Sequence, residues 1–406
     1  MKIWLISIFE QTPVDNVFST RFISIANEAV KRGHEVSFFG STFKHNTKNQ
    51  RFEQTTEIEE DKNYRLIFVK SDSYSENISL KRLMAYNKFS NELLKVLKNR
   101  EEMPDIILMA FPPISMSYKV SKWAKEKNIP LIIDIIDPWP DLFKTAVPKS
   151  LRPIFDLSIK GMRTKVANSF KNATHVTAIS KQYLEWAEKL AEKRLETTCF
   201  YPASDLEFIL NQINRTPEKS KEGFNELVVI YAGSLASSYD IPCILGAADI
   251  LEEKYGDKIK FKIAGAGPQE KLINSYITKH SNLEFLGRLV KDDLMKQYSL
   301  SHLGMTQHIK GAPQSVTYKL FDLLSSGLPI LNSLESEMKN IIVDEKVGLH
   351  NDPGNAKQLV ENIEVFYKNP NLIQEFRENG FRLTKEKGDT KTVYKNFVDL
   401  LEAKAK

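Results

Sequence analysis

Short apolar runs alternate along the chain with longer stretches whose apolar residues recur at helical spacing. "IWLISIF" (residues 3–9) precedes the helix-like "FISIANEAVKRG", and "EVSFFG" follows it. "DIILMAF" (105–111) leads through "PPISMSYKVSKWAKEKN" to "PLIIDIID" (130–137), and "HVTAIS" (175–180) precedes "KQYLEWAEKLAEKR". Strands separated by helices of about ten to fifteen residues are the signature of right-handed parallel units in a doubly wound sheet. The alternation stops at residues 201–226, a polar stretch ending in "NRTPEKSKEGFNE" that reads as a linker or surface excursion. It then resumes with "LVVIYAG", "KIKFKIAG", "LEFLG", "LGMTQ" and "GLPILNS", separated by helical segments. The last segment, "TKTVYKNFVDLLEAKAK", is an amphipathic helix with no strand after it. Its Val393, Phe397, Leu400 and Leu401 lie at helical spacing and predict a contact face.

The pattern predicts an α/β protein of two doubly wound, Rossmann-like domains, residues 1–200 and 201–388, followed by a terminal helix over 389–406. At 406 residues the chain is too long for one ordinary core, which agrees with two. In such sheets ligands bind beyond the carboxyl ends of the strands, and for two such domains that means the cleft between them. Composition narrows the class: 42% hydrophobic and 27% charged residues belong to a globular chain. A net charge of +5 admits an anionic ligand, while the lack of a basic tail or RNA-binding signature points away from nucleic acid. Cys199 and Cys243 have no metal-ligand spacing and no disulfide framework, so a reducing interior is expected. "MKIWLISIFE" is too short for a signal segment, and no run of eighteen apolar residues occurs, so the expected location is cytoplasmic.

Candidate chemistry gathers at the predicted strand ends of the second half. "LVVIYAG" ends in Gly233 and is followed by Ser234, "FKIAG" ends in Gly265 with Gly267 two residues on, and "LEFLG" is followed by Arg288 and Leu289. Glycines there permit close backbone approach before a helix start, whose free N–H groups and positive dipole suit an anion. A lone G-x-G is weak, since glycine also simply makes tight turns. The stretch "PQSVTYKLFDLLSSGLPIL" collects Gln314, Ser315, Val316, Thr317 and Lys319 where a helix begins, with Asp322 in its middle. Helix capping alone can account for such residues; Lys319 and Arg288 can also add full charge to an anion site. In the first half, Asp137 follows a buried strand and precedes "PWP". It is either a turn-former bonded to nearby backbone or a group that orients a substrate hydroxyl. Asn16, Ser19 and Arg21 occupy the loop and first helical turn after strand one, where an arginine can meet a phosphate.

The order of these segments resembles the retaining GT-B glycosyltransferases of family four, the glycosyl transferases group 1 that use sugar nucleotides. The resemblance runs through "RFISIANEAVKRGHEVSFF", "PDIILMAFPPISMSYKVSKWAKEKNIPLIIDIIDPWPDLF", "VTAISKQYLE", "FYPASDLE", "VIYAGSL", "IAGAGPQEKL", "LEFLGRLVKDDLMKQY" and "YKLFDLLSSGLPIL". The "D-x-W-P" turn at Asp137 is similar to members that build bacterial surface polysaccharides such as capsule or O-antigen. The resemblance implies a GT-B fold in which the first domain binds the acceptor, the second binds the donor, and the last helix crosses back to the first domain. It implies retaining sugar transfer from a nucleoside-diphosphate donor, UDP being the commonest, to a glycan or lipid-linked acceptor. Asp137 and Gln314 then fall at catalytic positions. Gly233, Ser234, Gly265, Gly267, Arg288, Leu289, Ser315, Val316, Thr317, Lys319 and Asp322 fall on the donor side, and Asn16, Ser19 and Arg21 on the acceptor side. No D-x-D triplet is present, so neither catalytic metal nor cofactor is expected.

The sequence departs from that family in informative places. Members usually carry two glutamates with seven residues between them; here the positions hold Gln314 and Asp322. The arginine and lysine that clamp the diphosphate in many members are replaced by Ser234 and Tyr239, which shifts the expected clamp charge to Lys319 with Arg288. A degenerate, non-catalytic sugar-nucleotide-binding protein is therefore the alternative. A GT-B epimerase would need a richer set of acids and histidines. A last feature is the run from 149 to 171, where Lys149, Arg152, Lys160, Arg163, Lys165 and Lys171 face a single acid, Asp156. Leu151, Ile154, Phe155, Leu157, Ile159 and Met162 are interleaved, so this segment can either lie on an anionic membrane surface or turn its apolar stripe to the core.

Overall fold

The computed structural model describes residues 1–17, 19–76, 79–213 and 226–405. The stretch "NRTPEKSKEGFN", read above as linker, lies outside the described residues. The chain forms two compact units: Met1–Tyr201 with Val393–Lys406, and Pro202–Thr392.

The first unit is built on β1 (Lys2–Ile6), β2 (Glu35–Ser41), a small antiparallel ribbon of β3 (Phe43–Lys44) and β4 (Asn49–Gln50), then β5 (Thr56–Asp61), β6 (Tyr64–Val69), β7 (Ile106–Phe111), β8 (Leu131–Ile135), β9 (His175–Ala178) and β10 (Thr197–Cys199). Apart from the ribbon they form one sheet in the order β10-β9-β8-β7-β1-β2-β6-β5, parallel throughout except where β5 pairs antiparallel with β6. All residues of β7 and β8 are buried, as expected of parallel strands covered by helices on both faces. Trp4 of β1 packs against Phe39 of β2 and against Trp123 of the helix Ile114–Glu126, with ring centroids 5.2 and 6.2 Å away. Order reverses at β1, whose neighbours β2 and β7 lead the chain in opposite directions. That is where a doubly wound sheet opens a crevice at its carboxyl edge.

The terminal helix Thr390–Lys404 belongs to this unit from Val393 onward. Its buried face is Val393, Tyr394, Phe397, Val398 and Leu401. Leu400, expected on that face, is only half-buried because Tyr394 and Val398 carry the stripe one position round the helix. Phe397 stacks on Phe200 at 4.4 Å, and Arg32 donates to Asp399 at 2.7 Å.

The second unit holds β11 (Leu227–Ser234), β12 (Ile259–Ala266), β13 (Leu283–Gly287), β14 (Leu303–Thr306), β15 (Ile330–Asn332) and β16 (Gly348–His350). They form a wholly parallel sheet in the order β13-β12-β11-β14-β15-β16. Here the order reverses at β11, between β12 and β14. Tyr231, Phe261, Ile263, Met305 and Phe366 fill the core, and Asp240 caps the long helix Ile241–Tyr255 by accepting from the Cys243 N–H at 3.1 Å. Cys243 is buried and Cys199 half-buried, and the two form no disulfide.

Candidate functional site

In the second unit, strand register brings the expected glycines level. Gly233 pairs with Gly265, and Ala264 with Gly287, so the ends of β11, β12 and β13 share one edge. Gly265 has φ +153°, and a Cβ there would overlap the Gly233 carbonyl oxygen; at Gly267 it would meet Leu235 backbone at 2.8 Å. Both glycines are thus required by the packing of neighbouring loops, whatever else they do. The N–H of Gly267 is already taken by the Glu270 carboxylate at 2.7 Å, so that helix start holds an anion of its own. Arg288, directly after β13, is exposed, and Leu289 beside it is half-buried. Ser234 Oγ accepts from the Ala236 N–H at 3.2 Å, and its carbonyl from the Tyr231 hydroxyl at 2.7 Å.

Lys319 opens the helix Lys319–Ser325. Its ammonium lies 4.2 Å from the centre of the Tyr231 ring and 4.4 Å from that of Tyr239, and a Cβ on Gly233 would run into its tip. The residue as a whole is half-buried, but Nζ is sealed from solvent and has no hydrogen-bond partner among the described residues. Burial pulls its pKa down to about 7. A cation placed against two aromatic faces and a glycine, and given no oxygen to bond, is an incomplete site. Tyr239 lies where the resemblance would place a lysine; here its ring receives one.

His308, which no motif singles out, joins this cluster. Its ring lies 4.9 Å from that of Tyr239. Nδ1 lies 3.2 Å from the Thr306 carbonyl oxygen, which can only accept, so Nδ1 carries the proton and Nε2 is a bare acceptor. Nε2 is buried and has no partner among the described residues. Burial, then the charge of Lys319, pushes the imidazole pKa down to about 4. Gln314, on the same loop, likewise has Oε1 buried without a partner. Ser315 and Val316 are buried, the Ser315 carbonyl accepting from Ser336 Oγ at 2.6 Å, and Thr317 Oγ1 points at Met338 Sδ at 3.6 Å. The helix begins only at Lys319, so residues 314–317 form a turn ahead of it instead of its first turn.

Asp322 accepts a short hydrogen bond from Ser204 Oγ. Burial raises its pKa, opposed by that bond and by the charge of Lys291. Ser204 is itself fixed by backbone bonds to Gly388 and Thr390 at 2.8 and 3.1 Å. One carboxylate oxygen of Asp322 is thereby occupied within the unit.

In the first unit the expected residues separate. Asn16 and Ser19 are exposed in a loop, Asn16 in the left-handed region at φ 59°. Arg21 is instead committed to the fold: Nε and Nη2 reach the two oxygens of Asp134 at 2.7 and 3.1 Å, and both side chains are buried. Thr177 Oγ1 adds a third bond to Asp134 at 2.7 Å. Asp137 is half-buried, and its carboxylate has no hydrogen bond among the described residues. Burial pushes its pKa up to about 6, opposed by the charge of Arg82. Arg82 and the tyrosines around it carry no sequence signal, because they come from a helix and a loop that no motif singles out. Among the described residues, no three His, Cys, Asp or Glu side chains are placed to hold a metal ion.

Residues 212–383 match the model of the family Glycosyl transferases group 1. Solved structures share the fold over nearly the whole chain. A sucrose-phosphate synthase from Thermosynechococcus elongatus is 15% identical with a TM-score of 0.73, covering 99% of this chain and 98% of its own. An α,α-trehalose-phosphate synthase (UDP-forming) from Burkholderia vietnamiensis is 9% identical with a TM-score of 0.70, covering 99% and 100%. The Anabaena protein HepE, in complex with UDP and glucose, is 13% identical with a TM-score of 0.64, again covering 99% and 100%.

Proposed function

We propose that the protein is a retaining, metal-independent glycosyltransferase that moves a sugar from a nucleoside-diphosphate donor to a glycan or lipid-linked acceptor in surface-polysaccharide assembly. The observation that carries this is Lys319: a cation sealed against Tyr231, Tyr239 and Gly233 with no oxygen to bond among the described residues, inside the segment that matches group 1 transferases. A diphosphate supplies the missing oxygens. UDP is the first candidate nucleotide, because three of the structural neighbours are named for it.

In this reading the bond from the anomeric carbon to the diphosphate oxygen breaks, and the acceptor oxygen bonds to the same face. The departing phosphate takes the acceptor's proton, so no separate base is needed. The protein positions the reactants and neutralises charge growing on the diphosphate, with Lys319 in contact and Arg288 adding long-range charge. Gln314 Oε1 and His308 Nε2, both unpartnered acceptors, suit hydroxyls of the transferred sugar. Asp137 meets the acceptor hydroxyl. Nucleotide-only affinity tests the donor half, and it is developed in the Discussion.

Asp322 is assigned to the donor ribose through the oxygen that Ser204 leaves open. Asp322→Asn is expected to weaken ribonucleotide binding about tenfold, and 2′-deoxynucleotide binding less, since a bond to a charged acceptor is worth about 1.5–3 kcal/mol. Calorimetric titration of both nucleotides reads this directly. Equal losses would assign the carboxylate to Ser204 alone.

A second reading, a sugar-nucleotide binder without activity, is favoured by Gln314 and Asp322 standing where the family carries glutamates. Release of free sugar from a sugar nucleotide separates the two.

The lipid-linked acceptor is supported by surface chemistry of the first unit. Leu151, Ile154 and Leu157 are 50, 68 and 73% exposed, whereas Ile159 is buried, so the apolar stripe of 149–171 divides and its first half faces solvent. Leu80 and Met84, at the start of the helix Leu80–Lys98, are 77 and 65% exposed. Lys149, Lys160 and Lys165 are exposed nearby in sequence, while Arg163 is bonded to Asp141 and Asp156. Each cation near an anionic leaflet contributes about 1 kcal/mol. Co-sedimentation with vesicles is expected to rise with anionic lipid, fall with salt, and be lost in Ile154→Ser/Leu157→Ser. Protein left in the supernatant with strongly anionic vesicles at low salt would rule the surface out. No helix among the described residues is long and apolar enough to cross a membrane.

A further inference from the structure

The first unit's sheet has a second edge, where its parallel strands begin, and a cavity of about 440 Å³ lies there. Strand register shows how it is built. Trp4 of β1 lies level with Ser37 of β2, and Ser37 with Arg65 of β6. One step nearer the strand starts, Lys2 lies level with Glu35. Register partners in parallel strands share a face, so these residues line one side of the sheet. The turn between β5 and β6 adds Lys62 and Asn63. The segment directly after the helix Leu80–Lys98, residues 99–102, supplies the facing wall. The volume is that of a small-ligand site. Asp137 follows β8 at the opposite, carboxyl edge, a strand's length away.

Four cations line the cavity, and two of them are committed: Lys2 is bonded to Glu102, and Arg100 to Glu57 at 2.9 Å. The other two, Lys62 and Arg65, are exposed and make no ion pair among the described residues. Glu59, the cross-strand neighbour of Arg65 on β5, does not reach it. Glu102 feels the charge of Arg65, but its bond is to Lys2, which holds its carboxyl below the usual range. On the acid side, Glu35 and Glu101 are likewise exposed and make no ion pair among the described residues.

This mixture selects against a bare anion. Such an ion gains from Lys62 and Arg65 but meets Glu35, Glu101 and the carboxyl end of the helix, whose last carbonyls and dipole repel it. A ligand that carries both an anion and hydroxyl protons satisfies the two sets together. Two cations match the charge of a phosphate monoester, which is close to a dianion at neutral pH, and the guanidinium fork fits its oxygens. Sugar hydroxyls donate to the two carboxylates, while the amides of Asn63 and Asn99 can both give and accept.

We propose that this cavity binds a phosphorylated sugar, with Lys62 and Arg65 holding the phosphate and Glu35 and Glu101 the hydroxyls. It is a second site, apart from the donor residues of the second unit and from the sheet edge that carries Asp137. The assignment does not depend on the transferase reading.

Calorimetric titration of the full-length protein tests it, with glucose 1-phosphate, glucose 6-phosphate, glucose and inorganic phosphate in turn. At least one sugar phosphate is expected to bind about tenfold or more tighter than either glucose or phosphate, the gain from one charge-assisted bond. Arg65→Gln and Lys62→Gln, at exposed positions where folding is not at stake, are each expected to weaken it about tenfold. Asp137→Asn and Lys319→Ala are expected to leave it unchanged. No binding of either sugar phosphate, binding no tighter than that of inorganic phosphate, or an affinity unchanged in either glutamine variant overturns the proposal. Loss of binding in Asp137→Asn also overturns it, and moves the ligand to the carboxyl edge. Sugar nucleotides titrated in parallel bear on the transferase reading alone, so the two readings fail separately.

Discussion

Replacing Lys319 by alanine is expected to weaken nucleoside-diphosphate binding by about 1.5–3 kcal/mol, roughly one to two orders of magnitude, as for loss of one charge-assisted bond. Isothermal titration of the nucleotide reads it, and unchanged affinity would remove Lys319 from the donor site. The effect carries a pH signature. The ligand-free lysine has a pKa of about 7 because burial strips its ammonium of water without supplying a partner. A bound diphosphate restores the charged form, so binding above that pH takes up a proton. Affinity is then expected to fall as pH rises from about 7 toward the pKa of the complex, and to lose that component in Lys319→Met. The sign for folding is the opposite. The unfolded chain titrates this group at the ordinary lysine value of 10.5, above the folded one, so it binds more protons between the two. Its contribution to stability therefore rises with pH from about 7 to 10.5 and is flat beyond both limits. Titrations in two buffers of different ionisation enthalpy count the protons.

Arg21→Ala is expected to destabilise the first unit by about 3–5 kcal/mol, the cost of leaving a buried carboxylate without its cation. Asp134 is wholly buried and takes both Arg21 bonds together with Thr177 Oγ1, so removing the guanidinium strands a charge that water cannot reach. Denaturant unfolding measures the loss. Asp134→Asn with Arg21→Gln, which keeps hydrogen-bonding capacity and removes both charges, is expected to recover much of it. A stability change under 1 kcal/mol in Arg21→Ala would show that the pair is hydrated and restore Arg21 as a ligand-binding candidate.

Fold class was legible because parallel strands buried on both faces read as continuous apolar runs, as in "DIILMAF" and "PLIIDIID". The hairpin of β5 and β6 was missed: "TEIEED" is a largely exposed edge strand with four acids in six residues, a composition that resembles a loop. β10 and β16 have three residues each, too few for any periodicity to show. The place of Lys319 at a helix start was legible, but its two tyrosine neighbours come from another strand and loop. His308 was invisible, since only the fold reveals that Thr306 fixes its tautomer and that Tyr239 covers it. Arg21 failed in the opposite sense. Proximity to a helix start suggested a ligand, while its partner lies 113 residues away on β8.

Sugar transfer with retention is tested by following sugar nucleotides with the protein by proton NMR. Slow release of nucleoside diphosphate from one of them is expected, with the first-formed free sugar in the donor's own anomeric configuration, and with that release lost in Lys319→Ala. A sugar nucleotide that binds but yields no free sugar would contradict transfer. A first-formed sugar of inverted configuration would contradict retention.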